Sequence, residues 1–242
     1  MFKRTILTTL LLFAASQLVF AHDAWIENKD GELMVFYGHA SRHDSYDPQK
    51  IKEPKGFDSK GTPVPMEIAR HKENASLVAK GKPAIVTVFF DNGYWVQTTD
   101  TAQAWKNIPK REAQEKFTVL ASSKVRKYAK AILTPCATFA KPVGLALEIV
   151  PEKSPFDLKP GDSLPIRVLL DGKPLEGAPV RIGTAAYSAE KLTNKTDKDG
   201  RASVVIAESG PQAINVFHKS PIKGDPDADN LGLSASLTFD LK

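Results

Sequence analysis

The sequence predicts a mainly β protein made of two β-sandwich domains, the first of which carries a helical insertion. Strand-length segments rich in β-branched and aromatic residues occur at 32–38 and 84–99. Within 145–242, similar segments recur about ten residues apart, as immunoglobulin-like sandwiches require. Turn pairs such as Asp171-Gly172 and Asp199-Gly200 separate them. We therefore expect an immunoglobulin-like sandwich over 145–242.

The first 21 residues have the pattern of a secretory signal peptide. Two basic residues precede an apolar run over 6–20, and Val19 and Ala21 place small residues at the −3 and −1 positions of a cleavage site. The run is shorter than the roughly 20 residues of a comfortable membrane span. We expect cleavage after Ala21 and a mature chain with no membrane span. An uncleaved N-terminal anchor is the alternative.

Composition places the mature chain in a bacterial periplasm. The single cysteine, Cys136, excludes an intramolecular disulfide, which fits a periplasmic protein better than a eukaryotic extracellular one. The formal net charge of +5 falls to +3 once Lys3 and Arg4 leave with the signal peptide. So small a charge indicates no particular partner, and no nucleic-acid partner is expected in that compartment.

The N-terminal β domain is predicted over 22–140. The triplet Asp91-Asn92-Gly93 is a turn signal and predicts a hairpin. A helical segment is predicted near 103–133, because these residues lack glycine and their apolar residues approximate a helical spacing. Eight basic and two acidic residues lie within 106–130. We interpret them as a solvated helix face, with a surface for an anionic partner or a membrane as the alternative.

His22 becomes the first residue of the mature chain if cleavage follows Ala21. A free N-terminal histidine offers two nitrogen donors, its α-amine and its imidazole, which can chelate one metal ion. The amine has a pKa of about 7.7–8.0, so it gives up its proton to a metal near neutral pH. Such donors suit Ni, Co, Cu and Zn. A frayed terminus without a role is the alternative interpretation.

Two more histidines follow closely in the chain. His39 is the stronger metal-ligand candidate, because Gly38 allows the backbone to approach closely beside it. His43 has charged neighbours on both sides and is interpreted as a surface residue, ranking below His39 as a ligand. Asp44 and Asp47 are candidates to orient an imidazole by hydrogen bonding, or are ordinary turn residues.

His218 ends a strand-like segment and shares a face with Ile214 and Val216 if the side chains alternate. It is either a core histidine or a metal ligand that reaches the site from the second domain. Trp25 would pack beside the site and hold the N-terminal segment in place. The acidic segment 225–230 lacks the glycine and glutamate of an EF-hand loop, although a calcium site there is the alternative. No sequence pattern identifies a catalytic residue.

Several motifs together resemble a known family: His22 with Trp25, Gly38-His39, "LEIVP" at 147–151, and "DGKPLEGAPV" at 171–180. The chain resembles uncharacterised bacterial periplasmic proteins that are loosely grouped with the periplasmic component of nickel and cobalt uptake systems. Its second half resembles transthyretin-like and surface-protein repeat domains. The resemblance implies a metal-associated role beside outer-membrane receptors or inner-membrane metal transporters. It also implies histidines in that role at the positions of His22, His39 and His218.

Three functional hypotheses follow from the sequence. The first is a periplasmic protein that binds a divalent transition metal (Ni, Co, Cu or Zn, with nickel or cobalt favoured) or its complex, and feeds a transporter. The second is a copper enzyme that uses the N-terminal histidine and a second histidine as a brace for oxidative chemistry. The third is an envelope module that binds a carbohydrate or another protein.

Overall fold

The structure is a computed structural model that describes residues 22–39, 42–184 and 191–241. The predicted signal peptide, 1–21, lies outside the described residues. The strands are Asp23–Lys29 (β1), Glu32–His39 (β2), Arg42–His43 (β3), Ile51–Phe57 (β4), Pro63–Val64 (β5), Met66–Arg70 (β6), Ala75–Ala79 (β7), Ile85–Thr98 (β8), Trp105–Lys106 (β9), Val119–Ile132 (β10), Leu147–Pro151 (β11), Ser163–Leu170 (β12), Lys173–Pro174 (β13), Pro179–Thr184 (β14), Lys191–Lys195 (β15), Arg201–Val205 (β16), Gly210–Pro221 (β17) and Asn230–Leu241 (β18). The helical elements are an α-helix, Lys110–Gln114 (α1), and 3₁₀ turns at Pro48–Lys50 and Pro155–Asp157.

These strands form three sheets in the described part of the chain. The N-terminal sheet has the order β1-β2-β7-β6, with β3 beside β2. The central sheet has the order β15-β14-β17-β18-β10-β8-β4-β5, with β9 beside β8. The C-terminal sheet has the order β11-β12-β13, with β16 beside β12. Strands β10 and β18 pair in parallel and join the two halves of the central sheet.

The central sheet is buried on both faces, so the molecule has three layers. On β10, Ala129 and Ala131 pack in a core with the N-terminal sheet, whereas Tyr128 and Ile132 pack in a core with the C-terminal sheet. Successive side chains of a strand point to opposite faces, which explains this division. The prediction of a mainly β protein with sandwich packing is confirmed. The central sheet takes strands from both 22–140 and 145–242, and the division into two domains there stays a prediction.

The prediction of a helical segment near 103–133 is mostly wrong. A helix is present, but it covers only Lys110–Gln114, and Val119–Ile132 is a long strand. This strand lies between β8 and β18 and is covered on both faces, so its buried half has no simple polar–apolar alternation. The buried lysines Lys127 and Lys130 interrupt its apolar residues, whose remaining spacing therefore approximates a helical one.

The hairpin predicted at Asp91-Asn92-Gly93 is also wrong. Strand β8 continues through these residues, and the register between β8 and β10 shifts between Lys124 and Arg126. Gly93 has a φ of 70°, which glycine adopts readily. The extra residue is accommodated as a β-bulge, so the turn chemistry bends the strand and does not reverse it.

The basic segment 106–130 and the acidic segment 225–230 pair with each other. Arg111 contacts Asp227 at 2.9 Å, and Lys110 contacts Asp229 at 2.5 Å. These contacts hold α1 against the loop before β18. The three aspartates of the loop lie beside basic side chains, and such neighbours disfavour a calcium ion. Within the described residues, no helix is long and apolar enough to cross a membrane.

Candidate metal centre

The β1–β2 hairpin places His22 opposite His39. Its two-residue turn is Asp30-Gly31, with φ values of 55° and 87°, as a type I′ turn requires. This turn fixes a register in which Asp23 pairs with Gly38, so the next position out joins His22 and His39. The ring centroids of these two histidines are 4.2 Å apart. The turn chemistry of the hairpin therefore brings two predicted ligands together.

Gly38 lets β3 fold tightly against β2. Its φ is 151°, and a Cβ atom added there would lie 2.0 Å from the carbonyl oxygen of Arg42. The Asp44 backbone N–H then donates to the Tyr37 carbonyl at 2.8 Å. The predicted close approach of the backbone at Gly38 is thus present, and it brings Asp44 to the histidine pair.

Asp44 holds the imidazole of His22. Its Oδ2 lies 2.6 Å from His22 Nε2, and its Oδ1 accepts a hydrogen bond of 2.6 Å from Arg42 Nε. Burial acts to raise the pKa of Asp44, but the hydrogen bonds from Arg42 and His22 outweigh it and hold this pKa below its ordinary value. An ionised carboxylate only accepts hydrogen bonds, so Nε2 carries the proton. In neutral His22, Nδ1 therefore keeps its lone pair.

His39 and Tyr37 form the wall beside His22. Burial, and next the neighbouring His22, lower the pKa of His39, which favours a neutral imidazole at pH 7. The Tyr37 ring stacks on His22 with a centroid distance of 4.9 Å, and burial raises the pKa of Tyr37 to about 12. The histidine pair thus has an uncharged aromatic neighbour.

Side chains of the central sheet anchor the strand that carries His22. Lys127 Nζ donates to the His22 carbonyl, Ser236 Oγ to the Ala24 carbonyl at 2.8 Å, and Thr238 Oγ1 to the Ile26 carbonyl at 2.6 Å. Strand β1 is at the edge of its sheet, where backbone groups lack strand partners. The donors satisfy alternate carbonyls along that free edge and fix the N-terminal segment in place.

Lys127 is a buried cation of this region. It is 1% exposed, and burial lowers its pKa to about 8. Asp23 is also buried and lies within 3.4 Å of Arg181. No carboxylate among the described residues forms an ion pair with Lys127.

Trp25 and His43 belong to a different cluster. Trp25 is 1% exposed and packs against Phe36 and Ala213, which holds β1 in place. The predicted packing of Trp25 beside the metal site is not observed, because it lies on the opposite face of β1 from His22. The exposed His43 stacks on Phe36 with a centroid distance of 4.2 Å and lies 5.5 Å from Trp25. Phe36 and Tyr37 point to opposite faces of β2, so His43 is outside the His22–His39 pair.

Asp47 and His218 are not brought to the histidine pair. Asp47 caps the turn at Pro48–Lys50 and accepts a hydrogen bond from the Gln49 backbone N–H at 2.9 Å. It is a turn residue, not a partner of an imidazole. His218 follows Ile214 and Val216 on the face that packs against the C-terminal sheet, whereas His22 lies against the other face of the central sheet.

The pair His22–His39 needs a further donor to hold a metal firmly. Among the described residues, no group of three or more His, Cys, Asp or Glu side chains is arranged to hold a metal ion. The α-amine released by cleavage after Ala21 would be a donor that is not a side chain. The sequence indicated both histidines as ligands. It did not indicate their direct contact, the hydrogen bond between Asp44 and His22, or the hydrogen bond from Lys127 to the His22 carbonyl. The pair Asp30-Gly31 was a signal for the first of these.

A family model described as a domain of unknown function, DUF4198, matches residues 19–220. The chain belongs to this family. No curated protein and no solved structure matches the chain. The matched range includes the histidine pair and Lys127, and the description of the family gives no activity.

Proposed function

We propose that the protein is a periplasmic binding protein for a divalent transition metal, with nickel or cobalt favoured. It takes up the metal, or a complex of it, through His22 and His39 and passes it to a transporter or outer-membrane receptor in the envelope. The observation that carries this proposal is the cross-strand pair itself, with ring centroids 4.2 Å apart and Asp44 on His22 Nε2.

The proton on Nε2 decides which nitrogen can bind metal. Because Asp44 engages Nε2 of His22, Nδ1 is the nitrogen that remains for a metal ion. Nδ1 and the α-amine of the same residue can close a chelate ring around one ion. A carboxylate on the other ring nitrogen orients a ligating histidine and raises its basicity, as is common at metal sites. His39 would add a second imidazole from across the hairpin.

The donor chemistry limits the choice of metal. Amine and imidazole nitrogens suit Ni, Co, Cu and Zn, and the affinities of such sites generally follow the order of the divalent series. The preference for nickel or cobalt rests on the resemblance described above, not on the donor atoms. Three nitrogen donors leave coordination positions open, which suits transfer better than permanent storage.

The anchored β1 strand supports a role for the mature N-terminus. The His22, Ala24 and Ile26 carbonyls are all held by side chains of the central sheet. A terminus that starts at His22 would therefore begin at a fixed position beside His39. Chain ends are usually poorly ordered unless other parts of the protein hold them, and these hydrogen bonds would hold this one.

Two measurements test this function. Mass spectrometry of the secreted protein should give a mature chain that begins at His22, and any other N-terminus removes the chelating amine. Calorimetric titration with Ni²⁺, Co²⁺, Cu²⁺ and Zn²⁺ should then show binding that His22→Ala weakens strongly. His71→Ala, a histidine that bonds Ser76 at the far end of the N-terminal sheet, is the matched control. Equal affinity in the mature protein and in His22→Ala would refute the proposal.

A further inference from the structure

A small cavity lies on the face of the central sheet that packs against the C-terminal sheet. It has a volume of about 180 Å³. Its walls come from three neighbouring strands and one loop: Glu53 and Lys55 of β4, Phe89 of β8, Tyr128 of β10, and the segment 144–146 before β11. Tyr128 is part of the hydrophobic core of that face, whereas His22 lies against the other face. The cavity is therefore separate from the candidate metal centre, and a ligand there goes beyond the proposed function.

Phe89 and Tyr128 form the aromatic wall of this cavity. They are cross-strand partners, and their rings stack with centroids 5.4 Å apart and an angle of 22° between the ring planes. The guanidinium carbon of Arg126 lies 5.9 Å from the centroid of the Phe89 ring, close enough for a cation–π contact. Burial raises the pKa of Tyr128, so its ring is uncharged at pH 7. The wall therefore presents an apolar, neutral surface to the cavity.

Two side chains of opposite charge stand at the mouth of the cavity. Glu53 and Lys55 are exposed, and within the described part of the chain neither forms an ion pair or a side-chain hydrogen bond. The carboxylate accepts hydrogen bonds and the ammonium group donates them. Because their formal charges cancel, the mouth favours a ligand that has both donors and acceptors and no net charge.

The backbone at Glu53 has a conformation that glutamate seldom adopts. Its φ is 49°, in the left-handed region. The other non-glycine residues with positive φ in the described ranges, Asp30 and Asp171, lie in two-residue turns before a glycine, where aspartate is tolerated. Glu53 instead lies within a strand and precedes Pro54, a position where extended backbone is the rule.

A β-bulge in β4 accompanies this conformation. Lys52 pairs with Phe89 and Lys55 pairs with Thr87, so β4 has one residue more than β8 between these two pairs. In a regular strand, residues three positions apart face opposite sides, but the extra residue brings both lysines to the side of Phe89. Bulges that redirect side chains and strained non-glycine residues both occur preferentially at functional sites. The bulge thus gives the cavity its charged mouth.

We propose that this cavity binds a single sugar ring. The C–H groups of a pyranose form an apolar face, which packs against the wall of Phe89 and Tyr128. Its hydroxyl groups form a polar edge, which donates to the Glu53 carboxylate and accepts from the Lys55 ammonium group. The molecule is uncharged, as the balanced mouth favours, and its size of about a dozen heavy atoms suits a cavity smaller than those that hold drug-sized ligands.

Nuclear magnetic resonance of the ¹⁵N-labelled chain that begins at His22 tests the proposal. The probes are glucose, galactose, mannose and N-acetylglucosamine, each added to about 50 mM. We expect at least one of them to bind with a dissociation constant of about 1–10 mM, the range for a ligand of this size. The amide signals of Glu53, Lys55 and 144–146 should shift, and those of His39 and Asp44 should not.

The variant Glu53→Gly separates a binding role of this residue from a structural one. It removes the carboxylate and relieves the strained φ, so sugar affinity should fall by about tenfold while the melting temperature stays equal or rises. Asp30→Gly is the matched control, because it makes the same kind of change at a positive φ in the β1–β2 turn and should leave the affinity unchanged. Phe89→Leu should weaken binding by about three- to tenfold, because the aromatic wall is lost.

Three results would overturn the proposal. Absence of shifts at these amides with all four sugars would refute the sugar site. Shifts there with leucine, and none with the sugars, would assign the cavity to a zwitterionic ligand instead. Equal sugar affinity in Glu53→Gly and in the unaltered protein would refute the role of the strained residue. Each result is independent of metal binding, because His22 lies against the other face of the sheet.

Discussion

Lys127 and Lys130 lie three residues apart on β10 and are both buried, but on opposite faces of the central sheet. Lys130 forms an ion pair of 2.8 Å with Glu148, which is itself buried. The same carboxylate accepts backbone N–H groups of Val143, Gly144 and Leu145. Among the described residues, the His22 carbonyl is the one hydrogen-bond acceptor of Lys127, and the Tyr37 ring lies 5.9 Å from its Nζ.

The sheet thus buries one lysine in an ion pair and the other against a backbone carbonyl. A buried ion pair with its remaining hydrogen bonds satisfied is a stable unit, and removing one partner leaves a lone charge. A buried lysine without a carboxylate partner is instead costly to keep. Both faces of the sheet carry a hydrophobic core, and the N-terminal side also carries the candidate site.

The largest effect on stability is expected from replacing Lys130, the lysine in the ion pair. Lys130→Met should lower the free energy of unfolding by about 3–5 kcal/mol, because it leaves Glu148 buried without its cation. Urea denaturation followed by circular dichroism measures it. Metal affinity of the folded fraction should not change. A loss below about 1 kcal/mol would mean that the pair is not the structural unit described here.

The unpaired lysine should appear in the pH dependence of stability. Its pKa in the folded protein is about 8, against an ordinary value of 10.5. Between these values the unfolded chain binds a proton that the folded chain has released, so the free energy of unfolding should rise with pH, by about 3 kcal/mol over the interval. Denaturation at pH 8 and at pH 10.5 measures this rise.

Lys127→Met provides the control for this pH effect. The variant has no group to titrate there, so its rise should be smaller than that of the unaltered protein. At pH 7 its stability should be unchanged or raised, because a costly buried charge is gone. Identical pH profiles for the two proteins would contradict the lowered pKa of Lys127 in the folded protein.

A third variant, Asp44→Asn, tests the contribution of Asp44 to metal binding at the candidate site. It keeps the size of the side chain but removes the carboxylate that orients His22. Nickel affinity should fall by about 10–100-fold, the usual effect of removing the partner of a metal ligand. Unfolding should change little, since Asp44 lies at the edge of the sheet. Asp47→Asn, at a carboxylate that caps a turn, should leave the affinity unchanged, and an equal loss there would refute the role of Asp44.

The smallest effect concerns the far end of the anchored strand. Thr238→Val removes the donor to the Ile26 carbonyl with little change in shape, and should destabilise the fold by about 1–3 kcal/mol. Nickel affinity should stay nearly constant, because Thr238 holds the strand four residues from His22. A loss of affinity as large as that of Asp44→Asn would show that the whole strand, and not its first residue, sets the site.

More of the candidate site than of the order of strands in the sheets can be predicted from the sequence. The turn pair Asp30-Gly31 alone implies a two-residue hairpin, and counting outward from it pairs His22 with His39. Gly38 was identified for close approach, and the tight fold of β3 against it agrees. These features involve residues that are close in the sequence, so the local residue types determine them.

The rest depends on contacts distant in sequence. The face on which His218 lies follows from alternation along β17, but its relation to the histidine pair depends on the parallel pairing of β10 with β18. No local pattern encodes a pairing across a hundred or so residues. The two outer sheets cover both faces of β10, so its buried residues show no simple polar–apolar alternation.

The central claim is that the α-amine of His22 is a metal donor. It is tested most directly by comparing mature protein that begins at His22 with the same chain retaining Ala21 in front of it. Both proteins keep the imidazoles of His22 and His39 and the carboxylate of Asp44, and only the position of the amine differs. Titration with Ni²⁺ should show affinity lower by more than about 100-fold in the extended chain, since loss of a ligand exceeds the effect of losing a ligand's partner. Equal affinity of the two chains would contradict the claim.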